Sequence, residues 1–175
     1  MEEMKILGID PGTGRMGWAI INRESVAGSM LQRATRYKRQ TVLLACGLIE
    51  TPPRTPLSDR LKVIYEELEK IIKKYRPDQL AIEELFFVKN VKTAISVSHA
   101  RGVAMLVASQ GALDIFEYKP NEIKMAITGY GHADKSQIAK MLKLHLKGCS
   151  IKQDDTADAV AVALCHLQSR KLNIK

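Results

Sequence analysis

Four acidic side chains stand where they can act together on a metal ion. Asp10 ends the apolar stretch ILGID, and Glu83 ends LAIE. Asp155 and Asp158 lie three residues apart in DDTADAVAVAL. An ionised carboxylate near the edge of a core is costly unless it is paired or binds a metal. Oxygen ligands of this kind suit hard divalent cations, so the four positions predict a site for Mg²⁺, with Mn²⁺ as a substitute.

Each acid taken singly has an ordinary alternative role. Asp10 or Glu83 would suit a helix cap or a solvated strand end. One of Asp154 and Asp155 suits the N-cap of a helix, where it interacts with the helix dipole. Asp158 lies beyond the first cap positions on an otherwise small, apolar surface suited to packing on a sheet, so capping does not explain it.

The charge of the chain indicates which reaction such a site would serve. Lys and Arg number 27 against 19 Asp and Glu, which gives a formal net charge of +8. This excess favours an anionic partner, most commonly nucleic acid, although solvated lysines alone also produce it. Two metal ions can activate a water and stabilise the leaving oxygen of a phosphodiester. Hydrolysis of a nucleic acid would account for both the positive net charge and the acidic metal site.

A glycine pattern beside Asp10 raises a different hypothesis. Gly12, Gly14 and Gly17 have the spacing G-x-G-x-x-G of a dinucleotide-binding turn. That turn must open a helix, whereas the residues after Gly17 are β-branched and aromatic and suit a strand. The acid expected about 20 residues on is also missing from LQRATRYKRQ. The stretch predicts a tight turn between two strands.

Composition limits the remaining classes. The 175 residues are 46% hydrophobic, which predicts one domain over 1–175. Cys46, Cys149 and Cys165 are far apart and odd in number, so we expect reduced, buried thiols rather than disulfides or zinc. Neither a signal peptide nor a membrane span is expected, so the protein is predicted to be soluble and cytoplasmic.

Apolar periodicity predicts the elements that must position the acids. We expect strands at 4–10, 17–22, 41–50, 79–84 and 113–118. We expect helices from Pro56, capped by Thr55, to Tyr75, from Asn90 to Gln110, from Pro120 to Thr128, from the capping box of Asp134 to Lys147, and from Asp155 onward. The order indicates an α/β fold.

The order of the elements also predicts the sheet. The first three strands leave no room for crossover helices and should form an antiparallel meander. The last two each follow a helix long enough to be a crossover. If the fourth strand lies parallel beside the first, their carboxyl ends place Asp10 and Glu83 at one edge, where open α/β sheets put their sites.

Six stretches of the chain form an ordered set of motifs: ILGIDPGTGRMGWAII, LAIEELFFVKNVKTA, HARGVAM, FEYKPNEIK, GYGHADKSQI and DDTADAVAVALCH. In this order they resemble the RuvC family of Holliday-junction resolvases. The resemblance extends from Met4 to about Gln168. No single motif is decisive, but their order and spacing together are highly specific.

The resemblance implies a ribonuclease-H-like fold, a five-stranded mixed sheet flanked by helices, and a homodimer. It implies an Mg²⁺-dependent crossover junction endodeoxyribonuclease with two ions per active site. Such an enzyme makes symmetric cuts in a four-way DNA junction during homologous recombination, DNA repair and the SOS response, leaving 5′-phosphate and 3′-hydroxyl ends. A branch-migration complex of RuvA and RuvB type proteins is the implied partner.

The same resemblance assigns the catalytic residues. The metal-binding and catalytic set is Asp10, Glu83, Asp155 and Asp158. Glu84 and Asp154 are then neighbours rather than ligands. Lys124 and Lys135 match family lysines that approach the DNA phosphates near the catalytic site, and we predict that they assist the reaction.

DNA contacts are expected beyond the lysines. Phe86 matches a family aromatic that contacts bases near the cut, although its residue type alone favours ordinary core packing. We also predict DNA contacts for Lys89 and Tyr130. His132 lies in the same predicted DNA loop as Tyr130 and either binds a phosphate or is an ordinary surface side chain, and His99 has no assigned role.

Two segments leave alternatives open. The helix 90–110 is apolar almost all round and needs cover on two sides, from the sheet and a second copy or entirely within one subunit. The segment 23–40 is longer than the family pattern and carries five basic residues against one acid. It is either an added DNA-binding arm or a mobile hairpin.

Other functions share part of the pattern. A ribonuclease-H-like enzyme acting on RNA–DNA hybrids would use the same acids. An ATPase of the sugar-kinase and actin type needs a duplicated half for which 175 residues leave no room. A junction-binding module without catalysis is disfavoured because clustered carboxylates do not help to bind anionic DNA.

Overall fold

A mixed sheet forms the centre of the computed structural model, which describes residues 4–26, 38–85, 91–146 and 154–169, without the side chains of 24–26, 38–40, 91–92 and 154–155. In this part of the chain five strands lie in the order β3-β2-β1-β4-β5. They are β1 (Met4–Asp10), β2 (Arg15–Val26), β3 (Lys38–Glu50), β4 (Gln79–Glu83) and β5 (Asp114–Tyr118). β1, β2 and β3 pair antiparallel, and β4 pairs parallel with β1 and β5. The predicted sheet is confirmed.

The described residues also contain five helices, in the predicted order. They are α1 (Leu57–Tyr75), α2 (Val91–Gln110), α3 (Pro120–Thr128), α4 (Lys135–His145) and α5 (Asp154–Ser169). Among these five, no helix is long and apolar enough to cross a lipid bilayer.

The predicted start of α1 is wrong by one residue. Pro56 is the N-cap rather than the first helical residue, and no side chain caps this helix. The Thr55 hydroxyl instead donates a hydrogen bond of 2.9 Å to the Pro52 carbonyl, within the preceding turn. Because the hydroxyl is engaged there, it does not cap the helix. The predicted capping box of Asp134 and Gln137 at α4 is confirmed.

The hairpin of β2 and β3 is longer than predicted. Its pairs run from Arg15↔Glu50 to Val26↔Lys38, with a register shift between Ile20 and Ile21. Residues at both ends of the basic segment 23–40 therefore belong to paired strands, which favours the hairpin over a separate arm. The residues 27–37 between them lie outside the described part of the chain.

Helices cover both faces of the sheet, so its strands are buried on both faces. Alternate residues of β1 divide between two apolar clusters: Leu7 and Ile9 pack with α1 and α2, and Ile6 packs with α3, α4 and α5. The near-continuous apolar sequence of β1 follows from this three-layer arrangement.

Helix α5 approaches β1 unusually closely. A Cβ atom on Gly8 would lie 2.3 Å from the Ala159 carbonyl oxygen and 2.7 Å from the Ala163 Cβ. Only glycine fits against two alanines at this separation. The small residues of DDTADAVAVAL thus fix the distance between α5 and the sheet.

The described cysteines form no disulfide. Cys46 is half-buried and Cys165 is buried, and neither is in a disulfide. Burial raises the pKa of the Cys165 thiol to about 11, which keeps it protonated. The expectation of reduced thiols holds for these two, and Cys149 lies outside the described residues.

Candidate active site

The carboxyl ends of β1 and β4 bring two of the predicted acids together. The parallel ladder ends at Ile9↔Ile82, so Asp10 and Glu83 follow it side by side. Ile6 and Ala81 face the α5 layer. Side chains alternate along a strand, so Asp10 and Glu83 project toward the same layer.

Helix α5 supplies the next acid. Asp158 precedes Ala159, whose carbonyl oxygen lies against Gly8 of β1. This contact holds Asp158 over the carboxyl edge of the sheet, where it lines one pocket with Glu83. Asp155 lies in the first turn of α5, and its side chain is outside the described part.

The three described acids influence one another. Burial raises the pKa of the Glu83 carboxyl above its ordinary value, and the negative charge of Asp158 raises it further. The positive charge of Lys124 and a hydrogen bond with the Asp10 side chain act in the opposite direction. Burial and the charge of Asp158 together outweigh the two opposing effects, so the Glu83 carboxyl binds its proton more tightly than usual.

Two lysines line the same pocket as the acids. Lys124 of α3 and Lys135 of α4 stand with Glu83 and Asp158 around a volume of about 360 Å³. The Lys135 Nζ atom lies 3.6 Å from a carboxylate oxygen of Asp158. The structure thus places both predicted lysines beside predicted acids from two other elements.

The donor chemistry of the pocket fits a hard divalent cation. Asp10, Glu83 and Asp158 offer oxygen ligands, and their crowded charge would be relieved by a cation. Among the side chains that the structure describes, no group of three or more His, Cys, Asp or Glu residues converges closely enough to hold a metal ion. The Asp10 and Glu83 side chains share a hydrogen bond, whereas Asp158 lies beside Lys135.

The glycine turn after Asp10 is tied to three other segments. The Thr51 hydroxyl donates to the Thr13 carbonyl at 2.6 Å and accepts from the Arg60 guanidinium at 2.8 Å. The Thr13 hydroxyl lies 2.9 Å from that of Ser96 on α2. At Gly12 a Cβ would lie 2.0 Å from the Arg15 carbonyl oxygen. The turn leads into a strand, as predicted, and fixes the chain where Asp10 leaves the sheet.

Other predicted DNA-binding residues lie apart from the acids or outside the described chain. Tyr130 follows α3, is 58% exposed, and has its ring centroid 5.7 Å from that of His132. Both line a separate groove of about 860 Å³ beside β5. Phe86 and Lys89 lie outside the described residues. His99 is exposed on α2.

Two polar residues near the site were not predicted. Arg101 of α2 donates to the Glu83 carbonyl, and His166 of α5 is buried between two polar partners. Each is a polar residue next to an apolar run, GVAMLVA after Arg101 and AVAVALC before His166. That position was the available signal, since a polar group in a core requires a partner.

Comparison with protein families gives a match over most of the chain. The family model described as crossover junction endodeoxyribonuclease RuvC matches residues 6–166. A protein of that name from Alkaliphilus oremlandii is 50% identical over 164 residues, covering 93% of this chain and 92% of the relative. Another from Halothermothrix orenii is 45% identical over 173 residues, covering 98% and 97%.

Solved structures share the architecture. Thermus thermophilus RuvC in complex with a Holliday junction substrate is 28% identical and superposes with a TM-score of 0.83, covering 97% of this chain and 96% of that one. The yeast mitochondrial Holliday junction resolvase Ydc2 is 10% identical with a TM-score of 0.64, covering 96% and 81%, and shares the fold alone.

Proposed function

This chain belongs to the family of crossover junction endodeoxyribonucleases RuvC, and from that premise we propose that it resolves four-way DNA junctions by metal-dependent phosphodiester hydrolysis. One observation carries the assignment of the site: Glu83 and Asp158, from β4 and α5, share a pocket with Lys124 and Lys135. A site with acids for a cation and lysines for phosphates suits DNA hydrolysis.

The catalytic roles divide between the acids and the lysines. Asp10, Glu83, Asp155 and Asp158 would hold Mg²⁺, two ions per site. Metal held by these acids would supply an activated water and neutralise charge on the leaving 3′ oxygen, so that hydrolysis would give 3′-hydroxyl and 5′-phosphate ends. Lys124 and Lys135 attract the scissile phosphate into the pocket and stabilise negative charge on its oxygens.

Helix α2 supports the homodimer that symmetric cutting requires. Its buried side faces the sheet through Ala100, Ala104 and Val107, whereas Ile95 and Leu106 on the other side are 53% and 52% exposed. A Cβ at Gly102, on the stripe between them, would meet no atom within 4 Å. A second copy would cover this stripe and place two identical sites across a symmetric junction.

The remaining assignments follow from the family. One nuclease domain over 1–175 acts on DNA in the cytoplasm, in recombination and repair, with Phe86, Lys89 and Tyr130 contacting the junction. RuvA and RuvB type proteins are its branch-migration partners. The groove at Tyr130 adjoins α3, which also carries Lys124, so both can contact one DNA molecule.

The proposal is tested by cleavage of a synthetic mobile four-way junction beside a linear duplex and an RNA–DNA hybrid. Each substrate is incubated with Mg²⁺ and with EDTA. Paired, symmetric nicks confined to the junction and dependent on Mg²⁺ are expected. Cutting of the hybrid instead would show that the substrate is an RNA–DNA hybrid rather than a junction. Junction binding without cutting would show that the protein is a binding module.

The matched variant is Asp10→Asn, which keeps the shape of the side chain and removes its charge. It should abolish cutting and preserve or tighten junction binding, because one negative charge facing the DNA is lost. Cutting at the wild-type rate would contradict the site. The dimer is tested by Leu106→Glu, which should yield monomers in sedimentation and unpaired nicks.

A further inference from the structure

We propose that Arg101 is a positioning residue for the reaction, which holds the end of β4 so that the Glu83 carboxylate stays at the metal site. The inference rests on the proposed function of that site. Arg101 donates from Nε to the Glu83 carbonyl oxygen at 3.2 Å, and its terminal nitrogen pairs with the Glu117 carboxylate of β5. One side chain of α2 thus joins the ends of two strands.

The Glu83 carbonyl needs a donor from outside the sheet. The backbone N–H of Glu84 donates to the Tyr118 carbonyl of β5 at 2.8 Å. The C=O and N–H of one peptide group point in opposite directions, so the Glu83 carbonyl points toward β1. In the parallel register of Ile9↔Ile82, its donor there would be the N–H of residue 11.

Residue 11 is a proline and has no N–H to donate. The β1–β4 ladder accordingly ends at Ile9↔Ile82, directly before Asp10 and Glu83. The sheet therefore loses a hydrogen bond at the position where it must hold an acid. The guanidinium of Arg101 supplies that bond.

Arg101 acts from the side of the sheet opposite the site. Its neighbours Ala100 and Ala104 pack in the α1 and α2 layer, whereas Asp158 belongs to α5 on the other face. The Arg101 side chain is 18% exposed. It touches the backbone of Glu83 rather than the pocket, so its effect reaches the reaction through the placement of the carboxylate.

The planar guanidinium of arginine is needed at this position because the two acceptors, on Glu83 and Glu117, lie in different strands. A guanidinium offers several N–H groups in a fixed plane and can donate to the Glu83 carbonyl and the Glu117 carboxylate together. A lysine at the same position has a single charged nitrogen, so it would replace the interaction only in part. This difference separates a positioning role from a general need for positive charge.

The experiment compares Arg101→Met, Arg101→Lys and wild type. Junction cleavage is measured in single turnover, Mn²⁺ binding to the DNA-free protein by calorimetry, and junction binding in EDTA. For Arg101→Met we expect cleavage and Mn²⁺ affinity to fall about 10- to 100-fold, as is typical when the partner of a metal ligand is lost. Junction affinity in EDTA should stay unchanged, and Arg101→Lys should recover part of both losses.

The control is Lys73→Met, which breaks the Lys73–Glu69 pair on α1 and removes the same charge away from the site. It should leave all three measurements unchanged. Wild-type Mn²⁺ affinity and cleavage in Arg101→Met would overturn the inference, as would equal losses of folding and of junction affinity in both Arg101 variants. Failure of the wild type to cut would refute the proposed function, and the Mn²⁺ measurements would still test Arg101.

Discussion

Asp158 and His166 lie about two turns apart on helix α5, and both face the parallel strands. His166 is 1% exposed, yet both of its ring nitrogens have partners. Nδ1 lies 2.6 Å from the Tyr118 hydroxyl, and Nε2 lies 2.8 Å from the Gln79 side-chain oxygen. In a neutral imidazole with its proton on Nε2, Nε2 donates to the Gln79 oxygen and Nδ1 accepts from the Tyr118 hydroxyl.

Asp158 has the opposite environment. The nearby Glu83 has a raised pKa partly because of the charge of Asp158, and the cation beside Asp158 is Lys135, which is largely exposed. The two ends of α5 therefore differ in charge. The hydrogen-bonded side chain of His166 stabilises the fold at one end, whereas the neighbouring carboxylates of Asp158 and Glu83 repel each other at the other end and can accept a cation from outside.

The largest effect that this comparison predicts is on cleavage in Asp158→Asn. Loss of a proposed metal ligand should lower the junction-cutting rate by well over about 100-fold, beyond the usual cost of losing a residue that only contacts a ligand. Stability should stay equal or rise, because a repulsive charge beside Glu83 is removed. Cleavage assays and thermal unfolding measure the two effects. If Asp158→Asn unfolded at a lower temperature than the wild type, Asp158 would stabilise the fold as His166 does, and the contrast between them would be wrong.

The second effect is on stability in His166→Leu. The Tyr118 hydroxyl and the Gln79 oxygen would lose this buried partner, which should cost about 3 kcal/mol in the free energy of unfolding. Cleavage below the melting transition should persist. Denaturant unfolding measures the loss, with Lys143→Leu at an exposed position of α4 as a control that changes stability by less than about 0.5 kcal/mol. Unchanged stability would contradict the assigned role.

A smaller loss of stability, with an effect at both ends of α5, is expected for Gly8→Ala. The added methyl would meet Ala159 and Ala163, between the two polar residues, and push the helix outward. We expect a cost of about 2 kcal/mol and slower cleavage, because Asp158 moves with the helix. Gly131→Ala is the control, since its methyl would meet nothing closer than 3.6 Å. Normal cleavage by Gly8→Ala would show that α5 tolerates displacement.

The smallest effect is expected for Tyr118→Phe, at about 1 kcal/mol near neutral pH. Burial raises the pKa of Tyr118 from 10.0 to about 12, so the folded chain binds this proton more tightly than the unfolded chain does. The resulting stability is complete below pH 10 and is lost as the pH rises toward 12. Between these values the wild type should lose more stability than Tyr118→Phe in denaturant titrations. Parallel losses would contradict the raised pKa.

The sequence predicted the acids near Asp158 better than it predicted the hydrogen bonds of His166. Asp10 and Glu83 end apolar strands, and a parallel pairing of those strands suffices to bring them together. His166 gave only the signal of a polar residue next to an apolar run. Its partner Gln79 lies 87 positions away, and no local pattern specifies which strand residue a helix side chain will meet.

The other differences from prediction also depend on tertiary contacts. Thr55 has the residue type of an N-cap, but its hydroxyl bonds the Pro52 carbonyl in the turn before α1. The ends of β2 and β3 hold charged residues that resemble a loop, and their pairing extends the hairpin beyond the apolar core. The positioning role of Arg101 could be inferred only from the sheet register, which places Pro11 opposite the Glu83 carbonyl.

The placement of α5 bears on the order in which the chain becomes active during synthesis. This helix follows every strand of the sheet along the chain, carries Asp158, and covers the face of β1 at Gly8. A nascent chain that has not yet released α5 has Asp10 and Glu83 but lacks the two predicted acids of α5, Asp155 and Asp158, and the cover of that face. Contacts this distant in sequence form late in folding. Until the last helix docks on the completed sheet, the chain therefore lacks the arrangement of acids that the proposed reaction requires.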